Sequence, residues 1–411
     1  MRQSPTLPSL PGVRRAVALA VVGWLLVACH RAPQPTSAPT SVQPAVAGAQ
    51  DPRGLLRAAP HGAQLPDRIA DSTFWRMVRE LSEPGGYFQS ENFVSNEMGL
   101  QHVIAHLESF APPGSVYVGV GPEQNFTYLG ALRPGIAFIV DIRRQNLLQH
   151  LWYKAIFELS ATRAEFLARL FARPAIAGIT NALSADSLIT LLEQTPVDPA
   201  MFRRTFDEAR LQLVQRHGFT LDSTDLATLR YVDSIFVASG PSLNYSSGST
   251  GRSRGGFNRM PTFAQVASAT DERGANRGFL GSERAYGVVR DMQQRNLIVP
   301  LVGDFAGPKA LRAVGDWLRE RGARVNVMYT SNVEQYLFQY GTWQVFYSNV
   351  GSMPLDTTSR FIRSVTSRGF GGGGGGAFLM QQLTSSILDI VRGVQAGTVQ
   401  SYYDVQSLSR P

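Results

Sequence analysis

Ser115-Val116-Tyr117-Val118-Gly119-Val120-Gly121 is a β-branched run that enters a glycine turn. The stretch from Pro122 to Leu132 can form a helix, and after it comes Ile136-Ala137-Phe138-Ile139-Val140-Asp141, an unbroken apolar run ending in an acid. Runs without alternation belong to strands buried on both faces, the situation of parallel strands between helix layers. The two runs and the segment between them therefore read as a β-α-β unit. A second such unit follows: strand-like runs at Leu297–Gly303 and Val325–Tyr329 flank a helix over Gly307–Arg321. Together they predict an α/β fold with a Rossmann-like, mostly parallel sheet.

The rest of the chain is organised around these units. Phe74, Trp75, Val78 and Leu81 recur at helical spacing and precede the stop Pro84-Gly85-Gly86. A helix is expected from about Glu97 to Phe110, with Ser95 as its cap. Residues 143–240 read as helical, most clearly at Leu147–Leu159, Arg163–Phe171, Ser184–Glu193, Pro199–His217 and Asp225–Ala238, and Gly240–Met260 as an exposed Ser/Gly-rich loop. Trp343–Tyr347 suggests a strand, Gly371–Gly376 a linker, and Ala377–Val394 a helix. The expected divisions are a leader at 1–29, a tether at 30–66, a first half of the Rossmann-like domain at 67–142, a helical insertion at 143–296, a second half at 297–368, a glycine-rich linker at 369–376 and a C-terminal helix and tail at 377–411.

Composition narrows the function classes. With 44% apolar and 17% charged residues among 411, the chain is neither disordered throughout nor collagen-like. Its one cysteine, Cys29, rules out an internal disulfide and a cysteine-based zinc site. Residues 1–60 carry +5 of the +8 net charge, so the body is nearly balanced. A nucleic-acid groove needs clustered positive charge, and no such partner is expected.

The leader is read from Arg14-Arg15, the apolar run Ala16–Ala28 and Cys29. This run of 13 residues falls short of the roughly 20 that span a bilayer. The ending Leu26-Val27-Ala28-Cys29 resembles the lipobox of bacterial lipoproteins, which implies diacylation at Cys29 and attachment of the exported chain to the cell envelope. An ordinary signal peptide, a twin-arginine signal on Arg14-Arg15 and a mis-assigned start remain the alternatives. The Pro/Ser/Thr-rich stretch after Cys29 fits a flexible tether.

The first candidate site is Gly119-Val120-Gly121 with Asp141. Two glycines after a strand admit close backbone approach, and the next helix offers free N–H groups. Asp141 lies 22 residues after Gly119, near the offset of about 20 expected of a ribose-binding acid. Gln124 stands where a dinucleotide fingerprint has its third glycine. Tyr117-Val118-Gly119-Val120-Gly121-Pro122-Glu123-Gln124-Asn125, Asp141 and Gly303-Asp304-Phe305 resemble the class I S-adenosylmethionine-dependent methyltransferase superfamily. That resemblance implies cofactor contacts from Gly119, Gly121, Glu123, Gln124 and Asn125, ribose binding by Asp141, and Asp304 as the acid facing a methyl acceptor. It also implies S-adenosylmethionine as cofactor, with Ser90-Glu91-Asn92-Phe93 closing over its methionine end. Gly-Val-Gly-Pro-Glu-Gln-Asn-Phe and Val-Asp-Ile-Arg-Arg-Gln-Asn further resemble a bacterial lipoprotein family without an assigned activity.

Other readings stay open on the residues themselves. The turn at Gly119 can serve packing alone, leaving a non-catalytic envelope lipoprotein that binds or assembles through its scaffold. Arg143 and Arg144 can hold a 2′-phosphate, as in an NADP-like binder, or lie as surface charges. Asp304 can form an acid site with Lys309 or cap the helix containing Pro308. Tyr329-Thr330-Ser331-Asn332 offers hydroxyls and an amide, or a capping turn. His102 and His106 are four apart on an expected helix but lack a third ligand, so no metal is expected. The lipobox reading has a direct test. Radiolabelled palmitate should enter the chain in a bacterial host and be lost in Cys29→Ser; equal labelling of both would refute it.

Overall fold

The computed structural model describes residues 64–174, 182–248, 260–366 and 380–410. Cys29 with its leader, residues 30–63 of the tether, the centre of the Ser/Gly-rich loop and the glycine tract 369–376 lie outside the described residues. In chain order the elements are α1 (Asp71–Leu81), α2 (Ile104–Leu107), β1 (Val116–Gly119), α3 (Gln124–Leu132), β2 (Ile136–Asp141), α4 (Arg144–Glu158), α5 (Arg163–Leu170), α6 (Ala185–Gln194) and α7 (Pro199–Arg210). A π-helical turn (Leu211–Arg216) precedes α8 (Ser223–Ser239), and α9 (Phe263–Ser268) and α10 (Glu283–Gln294) follow. The chain then runs through β3 (Ile298–Val302), α11 (Ala310–Arg319), β4 (Val325–Ser331), α12 (Val333–Tyr340) and α13 (Trp343–Gly351). It ends with β5 (Arg360–Thr366), β6 (Met380–Ser386), α14 (Ile387–Gln395) and α15 (Tyr402–Ser407).

The fold is α/β and Rossmann-like. Six strands form one sheet in the order β3-β2-β1-β4-β5-β6, the first five parallel and β6 antiparallel to β5. Every residue of β1 and β2 is buried, as their unbroken apolar runs require. The chain moves from β1 to β2 and β3 in one direction, then returns to β4 on the other side of β1. Strand order therefore reverses between β1 and β4, and the crevice that such a reversal opens lies beyond the carboxyl ends of the strands. All described residues belong to one compact unit that includes the helical block. Among them no helix is long and apolar enough to cross a membrane.

Aromatic packing fixes the first crossover. Phe126 on α3 makes edge-on contacts with His150, Tyr153 and Phe157 of α4 and with Phe279, at ring separations of 5.2–5.6 Å. Because α3 starts at the end of β1, these contacts set the position of the glycine turn.

The structure corrects four readings of the sequence. Residues 97–110 are mostly turns with one short helical turn, α2, and Gly99 sits where an added Cβ would lie 3.1 Å from the carbonyl of Met380. Trp343–Tyr347 is helical, not a strand. Its aromatic, β-branched composition favours strands, but Phe346, Tyr347 and Val350 are buried on one side of α13, with Phe346 and Tyr347 against Phe361. Within Ala377–Val394, Met380–Ser386 is the strand β6 and helix begins only at Ile387. Finally, Ile298–Val302 is the third strand of the first half, paired with β2. The helical block therefore lies between β2 and β3.

Candidate functional site

A cleft of about 320 Å³ opens at the reversal point. Gly121, Gln124, Asp141, Arg143 and Asp304 line it, together with Glu97 and residues from Ser331 onward. It therefore gathers the carboxyl ends of β1, β2, β3 and β4 in one place.

The glycine turn is held by its own neighbours. Gly121 has φ +79°, a left-handed conformation that glycine adopts without strain, and an added Cβ would also lie 2.6 Å from the Gln124 amide nitrogen. The Asn125 side-chain amide donates to the carbonyls of Val120, Gly121 and Pro122 at 2.8–3.1 Å. Its Oδ1 accepts from the Tyr117 hydroxyl at 2.9 Å. His150 Nε2 lies 2.9 Å from the Gly121 carbonyl. Burial pushes the His150 imidazole down to about 4, so it is neutral near pH 7. A carbonyl only accepts, so Nε2 carries the proton.

Asn125 and Gly119 therefore serve the turn and do not face the cleft. An added Cβ at Gly119 would collide with Asn125 Oδ1 and the Tyr117 ring, so that glycine is a packing requirement. Glu123 also stands off the cleft, beside a cavity of about 20 Å³. Its Oε1 accepts from the Ser95 N–H at 2.9 Å, and its buried Oε2 has no partner. Burial, aided by the nearby Glu97 carboxylate, pushes the Glu123 carboxyl from 4.5 up to about 7.

Asp141 ends β2 inside the cleft, but it is engaged. Its Oδ1 accepts from the Arg143 N–H at 2.9 Å and from Nε at 3.0 Å, and Oδ2 accepts from Nη2 at 2.9 Å. Arg143 Nη1 donates to the carbonyls of Ser90 and Glu91, which ties the 90–93 segment to the acid. One acceptor position on Oδ2 stays available. Arg144 makes a two-pronged contact with Asp225 and does not line the cleft.

Asp304 lies two strands from the glycine turn, at the end of β3, and its Oδ1 accepts from the Ala306 N–H at 2.9 Å. It does not cap α11. Glu83 does so, taking the N–H groups of Lys309 and Ala310 at 2.8 and 2.6 Å. Lys309 turns away and donates to the Ser82 carbonyl. His102 and His106 are exposed, and no group of three or more metal-ligating side chains gathers among the described residues.

Glu97 went unnoticed in the sequence because its partners are distant in the chain. It is 2% exposed, and it accepts from the Tyr329 hydroxyl at 2.8 Å, from Gln382 Nε2 at 2.9 Å and from the Ser331 hydroxyl. Ser331 has φ +50° and Asn92, also in the cleft wall, φ +47°. Left-handed non-glycine residues are costly and concentrate at functional sites. Aromatic rings complete the mouth: Tyr87 and Tyr340 are exposed, and Phe88 meets Tyr336 edge-on at 5.4 Å.

A family model, described as a domain of unknown function (DUF7790), matches residues 92–225 and 252–386. The chain belongs to this family. Within this DUF7790 chain the two matched stretches hold every cleft residue except Tyr87, Phe88 and Tyr245. A search of curated proteins finds no match.

Glu123 yields a pH test. In the folded chain it keeps its proton up to about pH 7, whereas the unfolded chain releases it near 4.5. The folded state binds the extra proton across that window, so this group's contribution to stability falls as pH rises from 4.5 to 7. Urea midpoints should shift in favour of Glu123→Gln, relative to the parent, between pH 5 and 7.5, by roughly 1–3 kcal/mol. A difference that does not change with pH would contradict the assignment.

Proposed function

We propose that the cleft binds a cationic nucleoside ligand of the S-adenosylmethionine type. One observation carries this reading: a left-handed glycine turn at the end of β1 and a carboxylate at the end of β2 line one cleft at the point where strand order reverses. Charge supports it. The cleft wall holds three carboxylates, Glu97, Asp141 and Asp304, and one cation, Arg143, which is spent on Asp141. A net negative wall favours a sulfonium ligand over a phosphate. The phosphorylated-nucleotide alternative loses its donors, since Arg143 and Arg144 are both ion-paired.

In this reading the chain positions the ligand. The glycine turn gives room beside β1, and Oδ2 of Asp141 accepts from a sugar hydroxyl. Asp304, beyond Asp141 on the outer strand, faces the base end and not an acceptor, which amends the role expected of it. Methyl transfer is the chemistry that such a cofactor would supply. The export and lipid anchoring expected from Cys29 form part of the same proposal.

The Arg143 chelate favours a second reading. A carboxylate with three of its acceptor positions filled is a structural clamp for residues 90–93, as a non-catalytic envelope lipoprotein built on this scaffold would require.

Calorimetry on the full chain separates the two. S-adenosylmethionine should release or absorb heat with a single-site isotherm, and Asp141→Asn should weaken binding at least about tenfold, the loss of one charged hydrogen bond. Absence of binding to the parent chain would leave the scaffold reading, and unchanged affinity in Asp141→Asn would remove Asp141 from the sugar site.

A further inference from the structure

The β4 side of the cleft has its own chemistry. Glu97 is a buried carboxylate whose partners, Tyr329, Ser331 and Gln382, are all neutral, and none of the ion pairs found among the described residues includes it. Burying a carboxylate without a cation is costly. Oε2 already accepts two hydrogen bonds and Oε1 one, so an acceptor position remains on Oε1. Gln124 adds an independent observation. It is 4% exposed and lines the same cleft, and its side-chain Oε1 is buried with no hydrogen-bond partner. Its Nε2 points to the Tyr329 hydroxyl at 3.4 Å, and that hydroxyl donates to Glu97. The Tyr329 oxygen thus joins the two side chains. What this wall leaves unmet is one amide oxygen and part of one carboxylate, both acceptors.

We propose that Glu97 and Gln124 form a subsite for a protonated primary amine, with Glu97 as counter-charge and Gln124 Oε1 as second acceptor. An ammonium carries three N–H donors and one positive charge, which meets both acceptors and the uncompensated carboxylate together. A phosphate, or a carboxylate with no ammonium beside it, would be repelled by Glu97. A neutral hydroxyl would satisfy one acceptor but leave the charge unpaired. Tyr329 positions the pair, because its hydroxyl meets both side chains. The subsite deepens the nucleoside reading and rests on it for the identity of the ligand. Two sources can bring the amine: the amino-acid tail of the nucleoside ligand itself, or a separate amine substrate bound beside it.

The test compares S-adenosylhomocysteine, which carries the ammonium, with 5′-methylthioadenosine, which lacks it, and adds butylamine as a bare probe. Binding to the full chain is measured by calorimetry, and melting temperature is followed in millimolar butylamine. Glu97→Gln and Gln124→Leu are compared with the parent after circular dichroism has established that they fold. Gln124→Leu removes the orphan acceptor, together with the 3.4 Å contact to Tyr329, while the Glu97 carboxylate stays in place, which keeps the test open should Glu97→Gln fail to fold. If the amine belongs to the nucleoside, S-adenosylhomocysteine binds at least about tenfold tighter than 5′-methylthioadenosine. Glu97→Gln erases that preference and Gln124→Leu reduces it. If the amine is a separate substrate, the two nucleosides bind alike and butylamine raises the melting temperature of the parent but not of the variants. If no nucleoside binds yet butylamine still stabilises the chain through Glu97, the subsite stands and the nucleoside reading falls. Equal responses to all three probes in parent and variants would overturn the subsite.

Discussion

The cleft depends on how the turn after β1 is held. Three successive carbonyls, those of Val120, Gly121 and Pro122, point at the Asn125 amide, and the Gly121 carbonyl also meets the neutral His150 ring. Polar backbone groups in a turn need partners, and here side chains supply them from behind. Gly121 itself lines the cleft beside Gln124. Asn125 is in turn fixed by Tyr117 from within β1, and α3 by the Phe126 ring cluster. Strand, turn and helix are so connected that the opening beside Gly121 is a property of the core.

Arg143 plays the same part for the second strand. It binds Asp141 through three donors and reaches the carbonyls of Ser90 and Glu91 with a fourth. The segment before β1 is thus drawn over the end of β2, where Phe88 lies under the guanidinium at 5.9 Å. The consequence is a wall rich in fixed acceptors and poor in free cations. The proposal of a cationic ligand rests on that balance more than on any single motif.

Much of this was legible in the chain. The runs at 116–119 and 136–141 are buried on both faces, which leaves an apolar signature with no alternation, and the acid at Asp141 follows from the strand's end. The structure places Gly121, Gln124, Asp141, Arg143 and Asp304 in one cleft, although local spacing alone could not tell that Gly119 and Asn125 serve the turn or that Arg143 would seize Asp141. β5 was hidden because its Arg363 is fully buried, a placement that makes sense only with the Glu334 carboxylate 2.6 Å away on α12. β6 was hidden because Gln381, Gln382 and the following hydroxyl residues make a polar strand whose partner is Arg360–Thr366. Glu97 depends on Tyr329, Ser331 and Gln382, more than 230 residues away, so no local pattern could mark it.

The central claim is that one cleft presents the turn, the β2 acid and the β4-side carboxylate to a single ligand. A crystal structure of the protein with S-adenosylhomocysteine tests it most directly. The account predicts a sugar hydroxyl within hydrogen-bond distance of Asp141 Oδ2, the base toward Asp304 and the amine against Glu97. Ligand density elsewhere on the molecule, or a cleft empty at saturating ligand with Arg143 still clasping Asp141, would contradict it.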